Sequence, residues 1–369
     1  MTAKSQYRYS PLTDTWVLIA PSRAKRPKDT VRKDKNACPF CIGNEDMTPE
    51  PEIFAVLKDG NIVKACYKYE IQNKINKSLI KDRGWKVRVV PNKFGALGIE
   101  GEPERTGVSI YQTMNGIGTH DVLIEHPGPE HIFMFDQDIE FIELSLLAMQ
   151  ERNLDLKKDK RFRYSLIFKN HGEAAGASLE HSHCQQNCLI ITPRRVQTVL
   201  DASQKYYMTN HHCIFCRFIK DSELTKCLVE ENEFFIALAE YAARFPYEVH
   251  IYPKYHDETV HLFELLCPKK RKYLAAILKN VLRRLKCVIE NQLEKKFSFN
   301  FEIFNSPWFE NYDYPHSGDT IRQDFHWHIQ IQPRDISKPA GFEFGSGYYI
   351  NSVSPEDEAA EQLRSVKLD

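Results

Sequence analysis

Two Cys-x-x-Cys pairs and two His-x-His pairs recur in one order along this chain, and that recurrence limits the fold more than any other feature. Cys38-Pro39-Phe40-Cys41 is followed by a strand-like segment ending at His126-Pro127, a helical stretch, an apolar strand and then His181-Ser182-His183. Cys213-Ile214-Phe215-Cys216 is followed by a strand ending at Pro253 and His256, a helical stretch, an apolar strand and then His326-Trp327-His328. Each copy is far longer than a solenoid repeat, so the pattern reads as duplication of a domain. The expected division is 1–195 and 196–369, and 369 residues suffice for two domains with sizeable cores.

The spacing of apolar residues supplies the elements. Trp16–Ile19, Trp85–Val90, His120–Glu125, Phe162–Lys169, Cys188–Thr192, Phe234–Leu238, Glu248–Tyr252, Phe299–Phe304 and Phe325–Ile331 read as strands. Asp136–Leu156, Val196–Met208 and Lys272–Leu293 have helical spacing. In the last, Leu274, Ile277, Leu278, Val281, Leu285, Val288 and Ile289 form one apolar stripe, which reads as core packing.

Lys plus Arg and Asp plus Glu both number 50, so no global field points to nucleic acid or to a membrane surface. The N-terminus lacks a signal-peptide core and no apolar run is long enough to span a bilayer, which makes the cytoplasm the expected location. Ten cysteines in a reducing compartment point to thiols rather than disulfides. Cys66, Cys227, Cys267 and Cys287 are expected in the core; Cys184 and Cys188 flank the central motif.

Zinc in a structural site takes four thiolate or imidazole ligands. Each copy offers two of each: Cys38, Cys41, His131 and His181 in the first, and Cys213, Cys216, His256 and His326 in the second. His126 competes with His131 for the first set. Two zinc ions per chain are therefore expected, and thiolates favour zinc over iron.

Between two strands lies Asn170-His171-Gly172-Glu173-Ala174-Ala175-Gly176-Ala177-Ser178, a loop of small residues where backbone can approach a ligand closely. The His-x-His pair follows it, its two side chains on one side of an extended segment. With His181 on a metal, His183 is free to attack phosphorus and hold it as a phosphoramidate. Arg23, Arg26, Asn170, Ser178 and Gln185 are the candidate donors for the non-bridging oxygens. Arg23-Ala24-Lys25-Arg26-Pro27 reads either as a solvated charge run or as a phosphate clamp. A zinc hydrolase would use a His-x-His pair as well.

The motifs together resemble the galactose-1-phosphate uridylyltransferase branch of the histidine-triad superfamily over nearly the whole chain. They are Pro11-Leu12-Thr13 with Trp16-Val17-Leu18, Arg23 to Pro27, Cys38 to Cys41 with Gly43-Asn44-Glu45 and Thr48-Pro49, Pro91-Asn92-Lys93-Phe94, Asn170 to Gln185, Phe245 to Glu248, and Pro253 to His256. The resemblance implies an α+β fold of two fused histidine-triad-like domains, each an antiparallel sheet with helices, and a homodimer. It implies that His183 becomes nucleotidylated and His181 binds zinc. Gln185 would bond the phosphoryl oxygens, with Ser178 and Asn170 beside it. Arg23 and Arg26 would bind substrate phosphates, and Asn92 and Phe94 the nucleoside. The implied reaction passes a nucleoside monophosphate from a nucleoside diphosphate sugar, UDP-glucose first, to a sugar 1-phosphate such as galactose 1-phosphate.

Some residues depart from the uridylyltransferase pattern. Those enzymes carry His-Pro-His-Gly-Gln, whereas this chain has His181-Ser182-His183-Cys184-Gln185. Their second metal site lacks a Cys-x-x-Cys. Cys213 and Cys216, with the tail Gly345 to Asn351, resemble instead the branch containing plant ADP-glucose phosphorylase, which transfers AMP to phosphate. A phosphorylase acting on ADP-glucose or a dinucleoside polyphosphate is thus the alternative, with a histidine-triad hydrolase and a non-catalytic zinc-binding protein behind it. His328 occupies the nucleophile's place in the second copy, but the small-residue loop is missing there, so that copy reads as structural.

Overall fold

Strand and helix spacing turn into one extended sheet with helices laid along it. The computed structural model describes residues 5–25, 38–65, 75–128, 130, 132–311 and 320–368. Among them the chain runs β1 (Gln6–Ser10), β2 (Thr15–Ile19), β3 (Phe54–Leu57), β4 (Ile62–Lys64), α1 (Lys77–Arg83), β5 (Trp85–Pro91), β6 (Thr106–Val108), β7 (Tyr111–Asn115), β8 (Gly118–Ile124), α2 (Ile139–Leu156), β9 (Tyr164–His171), β10 (His183–Leu189), α3 (Arg194–Asn210), α4 (Ile214–Thr225), β11 (Leu228–Glu231), β12 (Phe235–Ala239), β13 (Val249–Pro253), α5 (Pro268–Cys287), β14 (Phe299–Phe304), α6 (Ile321–Asp324), β15 (His328–Pro333), α7 (Gly341–Ser346) and α8 (Ala360–Ser365).

The large sheet has the order β11-β12-β13-β15-β14-β9-β10-β8-β5-β3-β4, and its paired strands run antiparallel. The order mirrors about β9 and β14. Outward from that pair, β10, β8 and β5 on one side answer β15, β13 and β12 on the other. The seam is a regular ladder, with Phe299 opposite His171, Asn300 opposite Asn170 and Phe301 opposite Lys169. A smaller sheet, β2-β1-β7-β6, stands apart. The fold is α+β with antiparallel sheets, as expected.

Helices α2 and α5 cover one face. Ile142, Leu146 and Met149 of α2 meet Leu274, Ile277, Leu278 and Val281 of α5 in a core shared with Leu123, Ile167, Ile251, Ile303 and Ile329 of the strands. Each such side chain contributes about 1.5–3 kcal/mol by leaving water. The stripe expected for α5 is fully buried, although the α-helix ends at Cys287 and a π-helical turn carries Val288–Gln292. No helix of the described residues is long and apolar enough to cross a membrane.

Two strands differ from expectation. β10 begins at His183, not Cys188, because His183, Gln185 and Gln186 are polar yet buried. β15 begins at His328, leaving His326 in the extended turn after α6. Cys267 is exposed rather than buried, since it is the cap before Pro268 at the start of α5. Cys227 is buried, Cys287 half-buried, and Cys66 lies outside the described residues. Gly172 turns the chain out of β9 at φ 82°, and a Cβ there would sit 2.2 Å from Ser298 Oγ. Only glycine accepts both conditions.

Candidate active site and metal centres

His183 is the first residue of β10, and its side chain emerges on the same face as Gln185. Its Nδ1 lies 2.8 Å from the His181 carbonyl oxygen. An N–H must donate to that carbonyl, so Nε2 keeps its lone pair. Phe40 packs edge-on against both imidazoles, with centroids 5.3 Å from His183 and 6.0 Å from His181.

A cleft of about 350 Å³ opens on this face. His183, Gln185, Ser178, Asn92 and Phe94 all line it, together with Phe40 and Met47. Asn92 Oδ1 accepts from the Phe94 N–H at 2.8 Å and so shapes the turn after β5. The Ala96 N–H donates to His120 Nδ1 at 3.2 Å, which puts the proton of that ring on Nε2. Nε2 then donates to Gln185 Oε1 at 2.8 Å. The Gln185 amide N–H groups are left as the donors of that side chain. Asn92 Nδ2 stands 3.0 Å from the same imidazole nitrogen. His120 is expected from the sequence only as the first residue of a strand; Thr119 and Asp121 beside it are polar too, so nothing local sets it apart.

The other expected contacts divide. Asn170 is drawn away from the cleft, since its Oδ1 accepts from Asn300 Nδ2 at 2.8 Å. It lines an adjoining cavity of about 330 Å³ instead. Arg23 sits in a short 3-10 helix, Pro21–Lys25, and is not among the residues lining either cavity. Arg26 and His131 lie outside the described residues.

The thiols and imidazoles gather as two groups. In the first, Cys38 Sγ and Cys41 Sγ lie 3.6 and 3.5 Å from His181 Nδ1. His181 Nε2 is 2.7 Å from the His126 carbonyl oxygen, which holds the ring with Nδ1 toward the sulfurs. The His126 ring is engaged elsewhere: its Nδ1 accepts from the Gly128 N–H, and the ring packs on Phe141. In the second group, Cys216 Sγ is 3.5 Å from both His256 Nδ1 and His326 Nε2, and Cys213 joins them. The remaining nitrogens donate to carbonyls, His256 to Arg322 at 2.8 Å and His326 to Pro253 at 3.1 Å.

These groups fit a tetrahedral ion. Bonds of about 2.3 Å to sulfur and about 2.05 Å to nitrogen place S and N about 3.6 Å apart. The two imidazole nitrogens of the second group, 2.9 Å apart, are somewhat closer than the roughly 3.3 Å of such a site. Carbonyl partners on the far ring nitrogens are the usual means of orienting metal-binding imidazoles.

The second copy of the motif is closed. His328 Nδ1 lies 3.1 Å from the His326 carbonyl oxygen, as in the first copy, but its Nε2 is met by the Gln330 amide at 2.9 Å. The ring stacks on Phe304 and is buried, which pushes its pKa down to about 3. Beside it His250 is held between Glu240 and Glu248.

The family model described as galactose-1-phosphate uridyl transferase, N-terminal domain, matches residues 1–193. ADP-glucose phosphorylase of Arabidopsis thaliana is 31% identical, over 98% of this chain and 93% of its own. Galactose-1-phosphate uridylyltransferase of Thermotoga maritima is 30% identical, over 99% of each. The crystal structure of an Arabidopsis thaliana ADP-glucose phosphorylase with bound ADP-glucose superposes with a TM-score of 0.70, covering 98% of this chain and 99% of that one. With a family model matching 193 of 369 residues and relatives aligned nearly end to end, the chain belongs to the galactose-1-phosphate uridylyltransferase family.

Proposed function

We propose that this chain is a nucleotidyltransferase that works through a nucleotidyl-histidine at His183. The observation that carries the reading is the His183 Nδ1 bond to the His181 carbonyl, which puts the ring proton on Nδ1 in a residue that lines a cleft with Ser178 and Gln185. Nε2 attacks the α-phosphorus of a nucleoside diphosphate sugar. The P–N bond forms as the bond to the sugar phosphate breaks, and hexose 1-phosphate leaves. The acceptor's phosphate oxygen then attacks the same phosphorus, the P–N bond breaks and His183 regains its lone pair. Throughout, Nδ1 keeps its proton on the His181 carbonyl. Gln185 and Ser178 supply donors to the non-bridging oxygens, while Asn92 and Phe94 take the nucleoside.

The donor in this reading is UDP-glucose and the acceptor galactose 1-phosphate, in line with the Thermotoga maritima relative's name. A second reading, ADP-glucose with phosphate as acceptor, is favoured by the complete Cys213, Cys216, His256 and His326 group and by the Arabidopsis thaliana relative. Zinc belongs in both groups, with His131 completing the first, and it would supply a fixed cross-link beside the reacting strand. The divisions 1–195 and 196–369 follow the mirrored strand order. The reading also includes a cytoplasmic homodimer, for which exposed Phe342, Phe344, Tyr348 and Ile350 offer an apolar surface.

Intact mass after mixing with UDP-glucose or ADP-glucose, with no acceptor, tests the proposal. An acid-labile UMP adduct that is lost in His183→Ala is the expected result; an AMP adduct selects the second reading. No adduct from either donor by protein with full metal content refutes the covalent mechanism for these donors.

A further inference from the structure

Behind the reacting strand, on the face away from the cleft, lies an ion pair that the reaction scheme does not use. Lys169 and Glu125 have side chains 2% and 0% exposed. Lys169 Nζ donates to both Glu125 carboxylate oxygens at 2.8 Å, to Ser182 Oγ at 3.0 Å and to the His183 carbonyl oxygen at 3.1 Å. Ser182 Oγ donates to Glu125 Oε2 at 2.5 Å, and the Cys184 thiol to Glu125 Oε1 at 2.8 Å. Burial works against the charge of Glu125, yet Lys169 and these hydrogen bonds hold its carboxyl below the ordinary value.

The position of the pair is informative. β9 and β10 are in register from Leu189–Tyr164 to Gln185–Phe168, and the ladder stops there. On the other side β8 continues, with His183 opposite Ile124 and the Glu125 N–H donating to the Ser182 carbonyl at 3.3 Å. The His181–His183 segment is therefore gripped by backbone on the β8 side. On the β9 side Lys169 Nζ occupies the place of the missing ladder donor at the His183 carbonyl. Desolvating two charges is costly, and a buried pair is weak evidence for stability. Apolar side chains would fill the same volume without that cost, but none could bond a strand carbonyl.

We propose that Lys169 and Glu125 are positioning residues for His183. They fix the backbone of Ser182 and His183 so that the His181 carbonyl meets Nδ1 and Nε2 is presented to the cleft. The inference deepens the nucleotidyl-histidine reading and rests on it for its kinetic consequence alone.

The test uses the full-length, metal-loaded protein and a double variant, Glu125→Leu with Lys169→Met, which removes both charges together and so avoids a lone buried ion. The ¹⁵N spectrum of the imidazoles, with His183→Ala to identify the resonance, reports where the proton sits. The wild type is expected to hold it on Nδ1, and the folded double variant to populate both tautomers. Adduct formation is expected to slow at least tenfold at saturating donor, with the donor KM within twofold. An unchanged tautomer and a rate within twofold of wild type overturn the proposal. Should the double variant not fold, Ser182→Ala decides in its place: a tautomer shift supports the role and an unchanged spectrum rejects it. Absence of an adduct in the wild type refutes the covalent reading, while the tautomer still decides the positioning role.

Discussion

Gln185 is anchored at its oxygen by His120, which aims its amide N–H groups at the cleft holding His183. Removing one preorganised donor to developing charge costs about 10²–10³ in rate. Gln185→Ala is thus expected to lower kcat by at least about 10²-fold with little change in fold, as steady-state kinetics and a melting curve would show together. A second residue makes stability depend on pH. Burial alone would depress His250, but Glu240 and Glu248 overcome it and lift its pKa to about 9. The folded value lies above the unfolded one of about 6.5, so the stabilisation is full below that value and is lost as pH rises through about 9. It amounts to roughly 3 kcal/mol. Urea midpoints at pH 6 and 9.5 should separate in the wild type and converge in His250→Gln; equal slopes in both would exclude this source. The places of His183 and Ser178 in one cleft were legible from the small-residue loop before His-x-His together with the family resemblance, since the pair alone also suits a zinc hydrolase. His120, Glu125 and Lys169 were not, because their roles depend on strands brought together from distant positions in the chain.

The elements were read more easily than their ends. Apolar spacing located α2, α3, α5 and most strands of the large sheet, since each must bury one face. It missed α4, which starts at Ile214 inside the second Cys-x-x-Cys, and it started β10 five residues late because polar side chains there face inward. The turn out of β9 depends on Gly172, whose φ of 82° and closeness to Ser298 exclude a side chain. Gly172→Ala is expected to cost about 1–3 kcal/mol in strain. It should also slow adduct formation, because the loop from Glu173 to Ser178 leaves the strand at that point. A melting temperature and adduct rate equal to wild type would show that the turn has another way to relax.

For the molecule as a whole, the two Cys/His groups lie on opposite sides of the β9–β14 seam, and the proposed chemistry takes place beside only one. Cys213→Ser should therefore remove about one equivalent of zinc and lower thermal stability while the adduct still forms. Cys38→Ser should remove the other equivalent and the adduct with it. Metal analysis beside intact mass reads both, and loss of the adduct in Cys213→Ser would reveal dependence across the seam. That strands recur in matching order on both sides of the seam was legible from the ligand order; that the two halves share one sheet was not, because edge-to-edge pairing leaves no periodic trace in sequence. That sharing has a consequence for the loop ahead of His183. Asn300, in the half whose His328 is capped by Gln330, donates to both Asn170 and the Ala175 carbonyl of the half that carries His183. A substitution at Asn300 would therefore be felt in the loop that precedes His183, on the far side of the seam.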